Sequence, residues 1–239
     1  MTTYVLIHGA WHGGWCWRDV RALLEHDGHR VITPTLMGLA ERADLLSKDL
    51  TLDILIDDLT KIFEAEDVQD AIVVGHSFGG SMISGVAERA PNRISQLVYL
   101  DAAVLTNGES MFDCQAPELV EERLRAAEES SGGLSLPTPS CDKLGILDAD
   151  QCAYVQQHLT PHPLGTYTSP ISLERAPGEG FPCSYIPCVD PDYTPLNWSR
   201  DRAHAYGWPI IPIATGHDAM VSAPDELAKI LQVIATIQD

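Results

Sequence analysis

Gly75-His76-Ser77-Phe78-Gly79-Gly80 follows the apolar run Ala71-Ile72-Val73-Val74 and precedes a stretch with helical periodicity from Ser81. A serine with glycine two residues to either side, set between a strand and a helix, has the spacing of a nucleophile elbow. The turn is cramped, and a side chain at Gly75 or Gly79 would collide with the neighbouring strand or helix. Glycine at both places removes the collision and lifts the Ser77 hydroxyl above the sheet edge. It also leaves the Phe78 N–H, at the start of the new helix, free to receive an oxyanion. Ser77 is therefore the candidate nucleophile.

Two further segments belong with it. His8-Gly9-Ala10-Trp11-His12-Gly13-Gly14-Trp15 follows the strand-like run Tyr4-Val5-Leu6-Ile7. Its glycines let the backbone approach the same sheet edge, which makes the Ala10 N–H the candidate second oxyanion donor. Thr215-Gly216-His217-Asp218-Ala219-Met220 comes after the run Ile210-Ile211-Pro212-Ile213 and before the C-terminal helical pattern. A loop after the last strand overhangs the elbow, and this position sets His217 apart from the other histidines as the candidate general base.

Apolar, β-branched runs predict strands over 4–7, 30–33, 71–74, 96–100, 183–187 and 210–213. Helical patterns fall between them over 17–26, 51–66, 79–89 and 225–237. Such alternation predicts an α/β fold, a doubly wound and mostly parallel sheet with helices on both faces. Residues 104–182 interrupt the alternation with a charged helix candidate over 117–127, a Gly/Ser/Pro-rich stretch over 130–140 and a second helical patch over 148–159. We read 1–239 as one domain, with 104–182 inserted as a helical lid after the strand ending near Asp101.

These motifs, together with Leu97-Val98-Tyr99-Leu100-Asp101-Ala102 and Tyr185-Ile186-Pro187-Cys188, resemble the α/β-hydrolase family. The resemblance runs from Thr3 to the C-terminus and is closest to the subgroup of plant methylesterases, hydroxynitrile lyases and bacterial esterase-like proteins. It implies the α/β-hydrolase fold and a Ser-His-Asp triad. The lyases of that subgroup have a threonine in the oxyanion turn and a lysine after the histidine, where this chain has Gly9 and Asp218, which favours hydrolysis. The relatives' triad aspartate falls at Pro191, between Asp190 and Asp192. Asp101, at a strand end where haloalkane dehalogenases carry their acid, is the preferred third member, with Asp192 and Asp190 as runners-up. Capping of the chain as it enters the lid is the competing account of Asp101.

The expected reaction is cleavage of a small or medium carboxylic ester or lactone through an acyl-enzyme. Two other readings stay open: a non-hydrolytic lyase, cyclase or eliminating enzyme of secondary metabolism on the same fold, and a ligand-binding protein with little turnover. Trp11, His12, His76, Tyr154 and Met220 are the candidate substrate-binding residues, although core packing accounts for each as well.

A formal net charge of -19 argues against nucleic acid or anionic membrane as a partner and leaves a small-molecule substrate. No cofactor motif is seen. His158 and His162 have helical spacing, but Pro161 and Pro163 break the helix that would present them to a metal, so no metal site is expected. The N-terminus enters a strand without a signal-peptide pattern, which points to the cytoplasm and to reduced thiols at all six cysteines. A homodimer is left open.

Overall fold

The computed structural model describes residues 1–236. Strands and helices alternate through the first hundred residues: β1 (Thr3–Ile7), α1 (Arg18–His26), β2 (Arg30–Ile32), α2 (Leu52–Ala65), β3 (Ala71–His76), α3 (Gly79–Arg89) and β4 (Ile94–Leu100). The segment that follows holds α4 (Pro117–Ser131), β5 (Ser135–Leu136), α5 (Ala149–His158), β6 (His162–Pro163) and α6 (Gly165–Thr168). The chain then returns through β7 (Cys183–Ile186), α7 (Asn197–Ala205), α8 (Ala219–Ser222) and α9 (Pro224–Thr236).

The central sheet has the order β2-β1-β3-β4-β7, with every pairing parallel. Successive side chains of a strand point to opposite faces, so a strand buried on both must be apolar throughout. Val5, Ile7, Val73, Leu97 and Tyr99 pack on one face against Leu59 and Phe63 of α2 and Met82 and Val86 of α3. Tyr4, Leu6, Ile72, Val74 and Val98 pack on the other against Leu24 of α1 and Leu231 of α9. All six residues of β3 are buried, which seats the elbow at the centre of the sheet.

Several expectations change. The strand expected over 210–213 runs parallel to β7 through the Tyr185–Ile210 and Cys188–Ile213 bridges, but it forms no continuous strand. Pro212 has no N–H and stands at the sheet edge, where that loss is tolerated. Helix α4 runs to Ser131, beyond the expected end at 127, and closes on Gly132 at φ 61°. Helices α6, α7 and α8 were not expected, and the expected last residue of the C-terminal helix, 237, lies outside the described residues. Cys141 and Cys152 form a disulfide, against the expectation of reduced thiols, whereas Cys16, Cys114, Cys183 and Cys188 are free. Sequence spacing could not pair the two, because α5 and the turn before it fold back on each other only in three dimensions.

Helix α3 is packed so closely on the chain after β4 that a Cβ at Gly80 would sit 2.2 Å from the Ala103 carbonyl oxygen. Gly80→Ala should lower stability by about 1–3 kcal/mol through overpacking. A denaturation midpoint unchanged from wild type would contradict that contact.

Candidate active site

Ser77 sits at φ 54° in the left-handed region, at a cost of roughly 1–2 kcal/mol for a residue with a side chain. The surrounding backbone holds it there. Its N–H donates to Leu100 O at 3.2 Å, and its carbonyl accepts from the N–H groups of Gly80 and Ala103 at 3.1 and 2.9 Å. A Cβ at Gly75 would lie 2.5 Å from Gly79 O, and one at Gly79 would lie 2.8 Å from Ile7 O. The elbow glycines are thus required by close approach.

His217 Nε2 lies 2.9 Å from Ser77 Oγ, and its Nδ1 lies 2.7 Å from Asp101 Oδ2. Asp101 is fully buried one residue past β4, at φ 41°, and its N–H donates to Ile186 O at 2.7 Å. Asp192 is exposed and takes Arg200 at 2.8 Å, and Asp190 is exposed as well. Of the three aspartates expected as the acid, the structure brings Asp101 to the imidazole. The Tyr193 ring lies flat on His217, 3.7 Å between centroids and 15° between planes.

The Ala10 and Phe78 N–H groups have no acceptor among the described residues. Phe78 is the N-cap of α3, where backbone donors point outward. The Ala10 turn reaches Ser77 because Gly9 has no side chain: a Cβ there would be 2.9 Å from both Ser77 Cβ and His76 Nδ1.

Buried histidines brace these turns, and their hydrogen bonds fix their protonation. His12 Nδ1 lies 2.7 Å from Ala10 O and its Nε2 2.9 Å from Asp218 Oδ2, so both nitrogens donate and the ring is an imidazolium. Burial alone would lower its pKa, but Asp218 raises it; burial would raise the Asp218 carboxyl, and His12 holds it down to about 2. His76 Nε2 donates to His217 O at 3.0 Å. Burial, then the neighbouring His217, pushes His76 well below the ordinary histidine value. His8 donates from Nδ1 to Gly9 O and accepts the Leu36 N–H on Nε2, which makes it neutral, and burial takes it down to about 3. His162 accepts the Trp11 N–H on Nδ1 and donates to Thr166 Oγ1 from Nε2; burial holds it well below its ordinary value.

A cavity of about 430 Å³ opens beside this cluster, lined by Trp11, Arg123, Leu136, Leu144 and Tyr193 among others. Trp11 follows the Ala10 donor and Tyr193 covers His217, so two walls of the cavity belong to the site. Of the expected substrate-binding residues, Trp11 lines it. His12 and His76 are each 1% exposed, His12 bonding through both nitrogens and His76 through Nε2, and Met220 is wholly buried. Tyr154 packs on Trp15 and His158 at a separate groove. The sequence reading missed Arg123, Leu136, Leu144 and Tyr193, which come from segments whose facing cannot be told without the tertiary structure.

The protonation states set a pH dependence. His8, His76 and His162 stay neutral in the fold, whereas in the unfolded chain they take up protons below about pH 6.5. Stability should therefore drop as pH falls below about 6, by up to ~1.4 kcal/mol per pH unit for each of them. The raised His12 contributes stability that is complete below about pH 6.5 and lost above its folded pKa. The depressed Asp218 contributes above about pH 4, and this is lost toward pH 2. A melting temperature that is flat between pH 7 and 5 would contradict the neutral assignments.

Comparison with known proteins agrees with this fold. Residues 4–230 match the family model described as the alpha/beta hydrolase family. The chain is 38% identical over 243 residues to a carbendazim hydrolyzing esterase of Nocardioides sp. (strain SG-4G), covering 98% of this chain and 100% of the relative. It is 28% identical to methylesterase 2 of Arabidopsis thaliana, over 97% of this chain and 95% of that one. Among solved structures, an extracellular alpha/beta-hydrolase from a Paenibacillus species superposes with a TM-score of 0.85 at 22% identity, covering 98% and 99% of the two chains. Tomato methylketone synthase I superposes at 0.78 and 18% identity, covering 100% and 99%. Both structural likenesses speak for the fold. With the family model spanning nearly the whole chain and an esterase matched end to end, the chain belongs to the α/β hydrolase family, among its esterases.

Proposed function

We propose that the protein is a serine esterase working through a Ser77-His217-Asp101 triad. The observation that carries this reading is the continuous chain of hydrogen-bond contacts from Ser77 Oγ through both nitrogens of His217 to Asp101. Asp101 accepts from His217 Nδ1–H and fixes the tautomer, which leaves Nε2 unprotonated to take the serine proton. Ser77 Oγ then attacks the ester carbonyl, and the Ala10 and Phe78 N–H groups receive the tetrahedral oxyanion. His217 returns the proton to the leaving alcohol, which departs as the acyl-enzyme forms. Water, deprotonated by the same nitrogen, attacks the acyl-enzyme and releases the acid.

The cavity volume suits a small or medium ester or lactone. Residues 104–182 act as the lid of the site in this reading, since they supply the Arg123 and Leu136 walls. No helix among the described residues is long and apolar enough to cross a membrane. For the compartment we keep the cytoplasmic reading. The Cys141–Cys152 disulfide stands against it, because such bonds persist mainly in oxidising surroundings. Thiol counting on protein prepared without reductant decides between the two: six free thiols fit the cytoplasm, four fit export.

Hydrolysis of p-nitrophenyl acetate and butyrate and labelling by a fluorophosphonate test the triad. Ser77→Ala should abolish labelling, and Asp101→Asn should lower kcat by about 10³–10⁴-fold. Asp190→Asn, on the exposed turn, should stay within a few-fold of wild type. Unlabelled wild-type protein without turnover would refute the serine mechanism, and a loss confined to the Asp190 or Asp192 variants would move the acid.

A further inference from the structure

Acidic residues outnumber basic ones by 34 to 15 in this chain. Among the described residues, every arginine except Arg123 and Arg125 has a carboxylate at ion-pair distance. Arg125 is exposed to water, whereas Arg123 is half-buried and faces the cavity beside the triad. Its guanidinium donates from Nη1 to a neutral acceptor, Gln115 Oε1, at 2.9 Å. It lies over the rings of Trp11 and Tyr167, 6.0 and 5.6 Å from their centroids. Aromatic faces hold the plane of the group, and a guanidinium has five N–H donors in a fixed fork that matches a carboxylate.

The rest of the cavity places no carboxylate at ion-pair distance from that charge. Lys143, exposed and with no carboxylate at ion-pair distance among the described residues although its charge acts on the adjacent Asp142, lines the same space. Of the two acids on the wall, Asp192 is taken by Arg200 at 2.8 Å and Glu122 is exposed. Leu119, Ala126, Leu136 and Leu144 supply apolar wall between these polar groups, and the guanidinium itself is partly withdrawn from water. In such surroundings an ion pair is screened less than in bulk water, and a ligand anion gains correspondingly more.

We propose that Arg123, supported by Lys143, is an anion subsite, and that the substrate is an ester carrying a free carboxylate on the portion lodged in this cavity. The proposal rests on the hydrolytic reading of Ser77. The net charge of -19 repels anions at long range. Recognition therefore comes from contact with the guanidinium, and it appears in KM.

The test uses matched esters that differ only in charge: monomethyl terephthalate against methyl 4-carbamoylbenzoate, and monomethyl adipate against methyl 5-carbamoylpentanoate. Wild type should favour the carboxylates by about 10-fold or more in kcat/KM, carried by KM. Arg123→Gln should bring the ratio close to one, Arg123→Lys should restore part of it, and Lys143→Gln should lower it less. Because each ratio is taken on one preparation, it does not depend on how much of a variant is folded. A wild-type preference for the neutral esters, or a ratio that survives Arg123→Gln, overturns the subsite even while p-nitrophenyl acetate is hydrolysed. Calorimetric binding of the same pairs to Ser77→Ala separates the two readings. An Arg123-dependent preference for the carboxylate without turnover in wild type would sustain the subsite and sink the esterase mechanism.

Discussion

A parallel sheet ends its strands at one edge, and the candidate chemistry depends on what that edge forces on the backbone. Ser77, just past β3, and Asp101, just past β4, both occupy the left-handed region, as does Trp11 in the turn after β1. None is a glycine, so each conformation carries strain that only a rigid surround can hold. The buried ladder is that surround: Ser77 N–H donates to the carbonyl ending β4, and Asp101 N–H to the carbonyl ending β7. Each strand's last peptide thus fixes the residue that follows its neighbour. The glycines of the elbow let the layers come close enough for this to happen.

Behind the edge lies a second, wholly buried charged pair. His12 and Asp218 belong to the two loops that carry Ala10 and His217, and their contact ties those loops together. Buried pairs of this kind contribute little net stability, yet removing one partner strands an uncompensated charge. Their value here is geometric. The Ala10 carbonyl is held by His12, so the orientation of the peptide preceding Trp11 is set from the far side of the site. His76 does the same for the His217 carbonyl.

Much of this was legible in the sequence because it is local. The elbow spacing, the apolar strands and helix α3 are each written within a dozen residues, and the glycine positions have one steric reason apiece. Asp101 could be preferred as the candidate acid from its place at a strand end, and it is the aspartate that reaches the imidazole, whereas Asp192 is exposed and turned to Arg200. What stayed hidden is non-local. Tyr193 follows the expected acid position, but nothing in its surroundings signals that it lies on an imidazole twenty-four residues away in the chain. The prolines that weaken the last strand could be read as either edge or interruption. The facing of Arg123 depends on how α4 settles over the sheet. His12 and His76 were placed at the substrate wall because they stand, in sequence, beside the candidate oxyanion turn and the candidate nucleophile. Their burial, and the bonds that His12 makes from both nitrogens and His76 from Nε2, show that proximity along the chain and access to a ligand are different things.

Trp11 is fastened to the segment above it at three points: its N–H to His162, its carbonyl to the Thr160 N–H and its indole N–H to Leu136 O. Helix α4, by contrast, buries Ala127 alone among its residues. The cover over the cavity is therefore unevenly sewn, stitched tightly above the oxyanion turn and loosely along α4. Local opening follows the weakest packing, so α4 is the part of this cover whose contacts give way at least cost, and its opening leaves the three bonds on Trp11 in place.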